Sequence, residues 1–134
     1  MPTVLVAAAI LIEHGRVLVT RRKKGTHLEG TWEFPGGKVL AGEDPREALV
    51  RELREELGID AVAGEIVEVT FHRYDDVQKA VLLLFFEAAR TPASSDPRPL
   101  DVAGFAWAGA EQLDPARFPP ADGAVLRKVR ARLA

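Results

Sequence analysis

An α/β chain folded as an α/β/α sandwich, with a mixed sheet held between helices, is the architecture this sequence predicts. Three observations predict it. The run "AVLLLFFEA" at residues 80–88 is apolar enough to be buried on both faces of a sheet. Two segments, 45–57 and 122–133, carry helical periodicity with start signals in front of them. The strand-like and helix-like segments are interleaved along the chain, which favours helices packed on both faces of one sheet.

Taken in order, Val4–Glu13 and Arg16–Arg21 are β-rich runs, and His14-Gly15 between them reads as a hairpin turn. Residues 22–43, "RKKGTHLEGTWEFPGGKVLAGE", are glycine-rich without a sustained period, so they read as a long ordered loop, and loops of that length are usually functional. A helix follows. Asp44 is a good N-cap, Pro45 suits the first helical position, Glu47 stands where a capping box needs it, and Gly58 ends the run. Leu49, Val50, Leu53 and Leu57 form its apolar stripe. Strands are expected at 65–69, 80–88 and in "GFAWA" at 104–108, with a Pro/Ser loop at 91–101 and a final helix from Asp122 to Leu133.

Composition narrows the function. The 134 residues suit one domain, 1–134, and 47% hydrophobic with 28% charged residues is an ordinary globular balance. With 18 basic and 20 acidic side chains, net charge −2, there is no field to hold long nucleic acid. The absence of cysteine excludes disulfides, thiolate chemistry and cysteine-based zinc sites, and permits a reducing cytoplasm, the expected location. The N-terminal run "VLVAAAILIE" has no basic segment before it and is too short to span a bilayer, so it reads as a strand and no membrane partner is expected.

One feature runs against electrostatic economy. "RELREELGI" at 51–59 crowds Glu52, Glu55 and Glu56 onto one short helix, where like charges three or four residues apart repel by a few tenths of ~1 kcal/mol per pair. A solvated helix face with Glu/Arg pairs is the usual meaning of such a run. Here the flanks matter. From Gly37 the sequence runs five residues to Glu43, seven more to Arg51-Glu52-Leu53, then Glu55-Glu56 and Gly58-Ile59. At roughly 6% per residue type, the seven Gly, Glu and Arg positions alone recur by chance on the order of a few times per billion starting points. The spacing lets several carboxylates converge on one patch, and such hard oxygen ligands suit Mg²⁺, with Mn²⁺ as a possible substitute. Arg51 is better placed to pair with and orient a glutamate than to touch substrate.

That pattern is the Nudix box without a departure, and the chain resembles the Nudix hydrolases. "RRKKGTHLEGTWEFPGGK" looks like the loop of the family's MutT-like branch, and "FPPAD" before the last helix is similar to that branch's FPPAN. The resemblance implies a Mg²⁺-dependent nucleoside triphosphate pyrophosphohydrolase, releasing the monophosphate and pyrophosphate, with sanitation of oxidised nucleotides such as 8-oxo-dGTP as its role in DNA repair. By carry-over, Gly36 (through its carbonyl), Glu52, Glu55 and Glu56 hold the metal; Glu52 and Glu55, with Arg51, form the catalytic group; and Arg22, His27, Glu33, Phe34 and Asp122 contact the nucleotide. A monomer is expected, with a dimer left open. Alternatives are a pyrophosphohydrolase of CTP or modified dCTP, an ADP-ribose or dinucleoside polyphosphate hydrolase, or a non-catalytic Nudix binding module; the intact box glutamates argue against the last.

Three finer readings complete the set. Asp96 and Asp101 read as turn residues rather than as further ligands. Tyr74 lies 15 residues after Ile59, a spacing too loose to carry an argument. Asp122 stands where the MutT-like pattern has Asn, and an ionised carboxylate only accepts hydrogen bonds, so the expectation is a preference for bases that offer donors, reversed if burial keeps the acid protonated.

Overall fold

The computed structural model describes residues 1–133. Strands β1 (Thr3–Glu13) and β2 (Arg16–Arg21) form the expected hairpin, turned through His14 and Gly15, both at positive φ (53° and 75°). Two short strands, β3 (Trp32–Glu33) and β4 (Gly36–Lys38), interrupt the loop expected at 22–43. They were illegible because each is only two or three residues long, below any detectable period, and is held by ladder bonds to distant partners: β3 to β2 and β4 to β1. Gly36 is required at that crossing. A Cβ on it would lie 2.0 Å from the Ala7 carbonyl oxygen.

Helix α1 (Pro45–Leu57) starts at Asp44, whose carboxylate accepts from Arg46 N–H at 2.8 Å, and ends at Gly58 (φ 68°), whose N–H bonds to Arg54 O. The cap forms without a recorded reciprocal bond from Glu47. Strand β5 (Ala61–Tyr74) is longer than expected because it pairs with β6 (Lys79–Arg90) along nearly its whole length, through irregularities between Ala63 and Glu68 that break the alternation visible in sequence. Strand β7 (Gly104–Ala108) pairs with β2, and helix α2 (Gly123–Leu133) closes the chain. Asp122 lies before α2, in the 3-10 turn Pro120–Asp122, rather than opening the helix as expected.

The sheet runs β3-β2-β1-β6-β5, with β4 added to β1 and β7 to β2. It is mixed, since β1 and β6 are parallel while the other pairs are antiparallel. Alternation along β1 sends Ala8 and Ile10 to one face and Ala7, Ala9 and Leu11 to the other. The first face packs with Val125, Leu126 and Val129 of α2; the second packs with Leu49, Leu53 and Leu57 of α1, all fully buried. Val50 is only half-buried, so the α1 stripe is narrower than its apolar residues imply. Each buried leucine contributes roughly 1.5–3 kcal/mol, and Leu53→Ala would cost about 2–5 kcal/mol. Among the described residues, no helix is long and apolar enough to cross a membrane.

Candidate active site

A cavity of about 470 Å³ opens where the glycine-rich loop, α1, the start of β6 and the turn before α2 meet. Its two ends differ in chemistry. At one end, α1 presents Glu52 and Glu56 beside Gly36 and Gly37. A Cβ on Gly37 would lie 2.4 Å from the Glu52 carboxyl carbon, so a larger residue there would push that side chain aside. Arg51 organises the charge around these groups. Its Nε and Nη2 donate to the two Glu43 oxygens at 2.9 and 3.0 Å, and its Nη1 donates to Glu52 at 2.9 Å and to Glu55 at 3.3 Å. The Arg51 hydrogen bonds hold the Glu43 carboxyl below its ordinary range. This agrees with the orienting role expected of Arg51.

Glu56 is treated differently. No arginine reaches it; Gly36 N–H donates to its Oε1 at 3.2 Å. Desolvation first, and then the nearby charges of Glu33, Glu52 and Asp101, push its pKa up to about 8. Burial also raises Glu52, against the pull of Arg51. Glu55 lies outside the cavity lining, its side chain 55% exposed against 17% for Glu52. Among the described residues, no three acidic or histidine side chains are gathered as a metal cluster. The carboxylates are instead divided between Arg51 and the Gly36 N–H. The donor set nevertheless fits a hard divalent cation: two cavity carboxylates, Glu52 paired with Arg51 and Glu56 in no ion pair among the described residues, beside glycines that leave room.

The other end receives the loop residues and the turn before α2. Arg22 donates from Nη1 to both Glu33 oxygens at 3.2 Å and from Nε to the His27 carbonyl at 2.7 Å. Burial raises the Glu33 pKa, and Arg22 opposes the rise. Phe34 is 3% exposed, lines the cavity and packs against Phe85 and Phe118, so it is core and cavity wall together. Asp122 is 4% exposed, and desolvation, followed by the charge of Glu33, pushes its pKa up to about 8.

All five residues expected near the nucleotide, Arg22, His27, Glu33, Phe34 and Asp122, therefore line one cavity, as do Gly36, Glu52 and Glu56 from the metal group. Asp96 pairs with Arg90 at 2.8 Å and Asp101 with Lys23, and neither lines the cavity. Sequence reasoning missed Lys38, Leu40, Tyr74 and Lys79 in the lining. Lys38 could have been found from its place directly after the paired glycines. Lys79 carried no local signal, because the β5–β6 pairing brings it in.

The family model of the NUDIX domain matches residues 1–129. An 8-oxo-dGTP diphosphatase of Haemophilus influenzae is 34% identical over 125 residues, 92% of this chain and 89% of that one. A CTP pyrophosphohydrolase of Escherichia coli is 51% identical over 67 residues, which span half of each chain. Among solved structures, the E. coli ORF135 protein superposes with a TM-score of 0.80 at 32% identity, covering 100% of this chain and 93% of that one. A MutT Nudix hydrolase from Burkholderia pseudomallei superposes at 0.79 and 25% identity over the whole of both chains. The domain match takes in the complete box from Gly37 to Ile59 together with the loop and strands that build the cavity, and the chain belongs to the Nudix family, in its MutT-like branch.

Proposed function

We propose that this chain hydrolyses nucleoside triphosphates to the monophosphate and pyrophosphate, with 8-oxo-dGTP as its preferred substrate, as a cytoplasmic monomer acting on free nucleotides. The observation that carries the choice of base is Asp122. With a pKa near 8 it is protonated at neutral pH, so it offers one donor and one acceptor, the same code as the Asn of the MutT-like pattern. This is the case in which the sequence expectation of a preference for donor-bearing bases reverses, because burial keeps the acid protonated. A donor and an acceptor side by side complement the O6 acceptor and N7–H donor of 8-oxoguanine.

Under this reading Glu52 and Glu56, with Gly36, would hold Mg²⁺ or Mn²⁺, and Glu55 would join from the rim. A cation there neutralises phosphate charge and lowers the pKa of water. Arg51 keeps Glu52 in place through the 2.9 Å bond. Glu52, inside the cavity, is better placed than Glu55 to take a proton from water. Arg22 and His27 lie where phosphate or sugar oxygens would pass, and Phe34 provides the apolar wall for the base.

A second reading, CTP or a modified dCTP, is favoured by the 51% identity to the E. coli CTP pyrophosphohydrolase over half of the chain. A panel of dGTP, 8-oxo-dGTP, CTP and 5-methyl-dCTP with Mg²⁺ separates the two. The proposal expects the highest kcat/KM for 8-oxo-dGTP. A higher value for either cytosine nucleotide would replace it with the second reading, and no release of pyrophosphate from any of them would sink both.

A further inference from the structure

The connection between β5 and β6 carries a contact that no motif covers. Asp76, in the 3-10 turn Asp75–Val77, meets His27 of the glycine-rich loop, with 2.9 Å between Asp76 Oδ2 and His27 Nε2. The two segments are 49 residues apart in sequence, and they reach each other across the cavity mouth, where His27 and Tyr74 both line the wall. The Tyr74 ring stands edge-on to the His27 ring at 5.1 Å, and the His72 ring lies 4.5 Å from that of Tyr74.

Both sides of the contact hold backbone in a conformation that side chains rarely adopt. Leu28, directly after His27, has φ 59°, and Gln78, two residues after Asp76, has φ 52°. Such residues persist where the surroundings over-determine them, and they gather at ligand clamps and switch regions. The Leu28 carbonyl is held by Thr31 Oγ1 at 2.7 Å, and Gln78 Nε2 bonds to the Asp75 carbonyl at 2.9 Å. The chain of contacts then runs inward. The His27 carbonyl accepts from Arg22 Nε, and Arg22 grips Glu33.

We propose that Asp76 is a positioning residue, which latches the loop at 22–31 over the nucleotide by holding the His27 ring. An ionised carboxylate only accepts, so Asp76 keeps the hydrogen of His27 on Nε2. Nδ1, left without a hydrogen, is then an acceptor offered to a hydroxyl hydrogen of the nucleotide's sugar. The role rests on the nucleotide reading of the cavity, and it concerns binding rather than the chemical step.

The test uses the best substrate of the triphosphate panel, whichever that is, so the choice of base does not enter. Asp76→Ala is expected to raise KM about fivefold with kcat within about twofold of wild type, the scale of one solvent-accessible charged hydrogen bond. Asp76→Asn keeps an acceptor and should restore most of the affinity. In a His27→Ala background, Asp76→Ala should add nothing. A wild-type KM in Asp76→Ala, an Asn variant as weak as the Ala variant, or an undiminished effect in the His27→Ala background would each overturn the proposal. The ring itself gives a readout independent of turnover. Long-range ¹H–¹⁵N NMR of the ligand-free protein should find His27 with its hydrogen on Nε2, an arrangement relaxed by Asp76→Ala. A ring with its hydrogen on Nδ1, or one indifferent to the substitution, removes the latch even if the wild-type protein hydrolyses every triphosphate. Failure of all hydrolysis with the ring as expected would instead count against the proposed function.

Discussion

The two ends of the cavity handle the same problem, acidic groups drawn out of water, in different ways. At the α1 end Arg51 pairs with Glu43, Glu52 and Glu55, holding the Glu43 pKa down and opposing the rise that burial imposes on Glu52. At the α2 end Asp122 is 4% exposed, meets the charge of Glu33 and forms no ion pair among the described residues, so its pKa is pushed up to about 8 and a proton neutralises it. Glu56 stands between the two solutions, with one backbone N–H as its partner and a pKa near 8. Withdrawing a carboxylate from water costs several kcal/mol (~) unless a counter-charge or a proton cancels it. Under the proposed function, the contrast prepares one end for a cation and the other for a hydrogen-bonding base, although both are built from acids.

The largest effect should come from breaking the cation end. Glu56→Gln keeps shape but removes the charge that would face a metal, and kcat should fall at least about a hundredfold, the scale of lost electrostatic stabilisation. Steady-state turnover in saturating Mg²⁺ measures it, and wild-type turnover would take Glu56 out of the mechanism.

The base end breaks more gently. Asp122→Leu removes donor and acceptor together and should lower the 8-oxo-dGTP preference about tenfold, or ~1.4 kcal/mol. Asp122→Asn, by contrast, should keep that preference within about threefold at pH 7, because the protonated acid and the amide share one code. Wild type should lose the preference as pH rises through about 8, the value to which burial pushes Asp122, and Asp122→Asn should abolish that loss. A tenfold change on Asp122→Asn at pH 7 would mean that the acid is ionised in the site.

The same raised groups set a pH dependence of stability in metal-free protein. Glu56 moves from an ordinary 4.5 to about 8 on folding, and Asp122 from 3.8 to about 8, so between those values the folded state binds more protons than the unfolded one. Stability is therefore fully present below the ordinary values and is lost as pH rises through about 8. Chemical denaturation from pH 5 to 9 should show the decline, and Glu56→Gln with Asp122→Asn together should flatten it. Glu43 acts oppositely, since Arg51 lowers its pKa and its contribution fades on acidification.

The smallest effect sharpens the contrast. Mg²⁺ should raise Tm as its concentration passes Kd, because it would bind only the folded arrangement of carboxylates. The rise should vanish in Glu56→Gln and survive in Asp122→Asn. A flat Tm into the tens of millimolar would mean that substrate phosphates are needed to complete the site.

Residue pattern alone determined the helices, the hairpin and the acidic end. Caps, turn residues and the α1 stripe are local, and the box places Glu43, Arg51, Glu52, Glu55 and Glu56 within a stretch whose helical spacing dictates their proximity. Only the tertiary structure decided the rest. Strands β3 and β4 exist because β2 and β1 offer them partners, and β5 is long because β6 pairs with it. Tyr74, Asp76 and Lys79 reach the cavity or its mouth through that same pairing. Asp122 shows the division most plainly: its identity can be read from the chain, but its protonation depends on how much water and charge surround it, and those are set by residues distant in sequence, Glu33 among them. Long-range burial has no signature in local spacing, which is why the hydrogen-bond code at the base end had to wait for the fold.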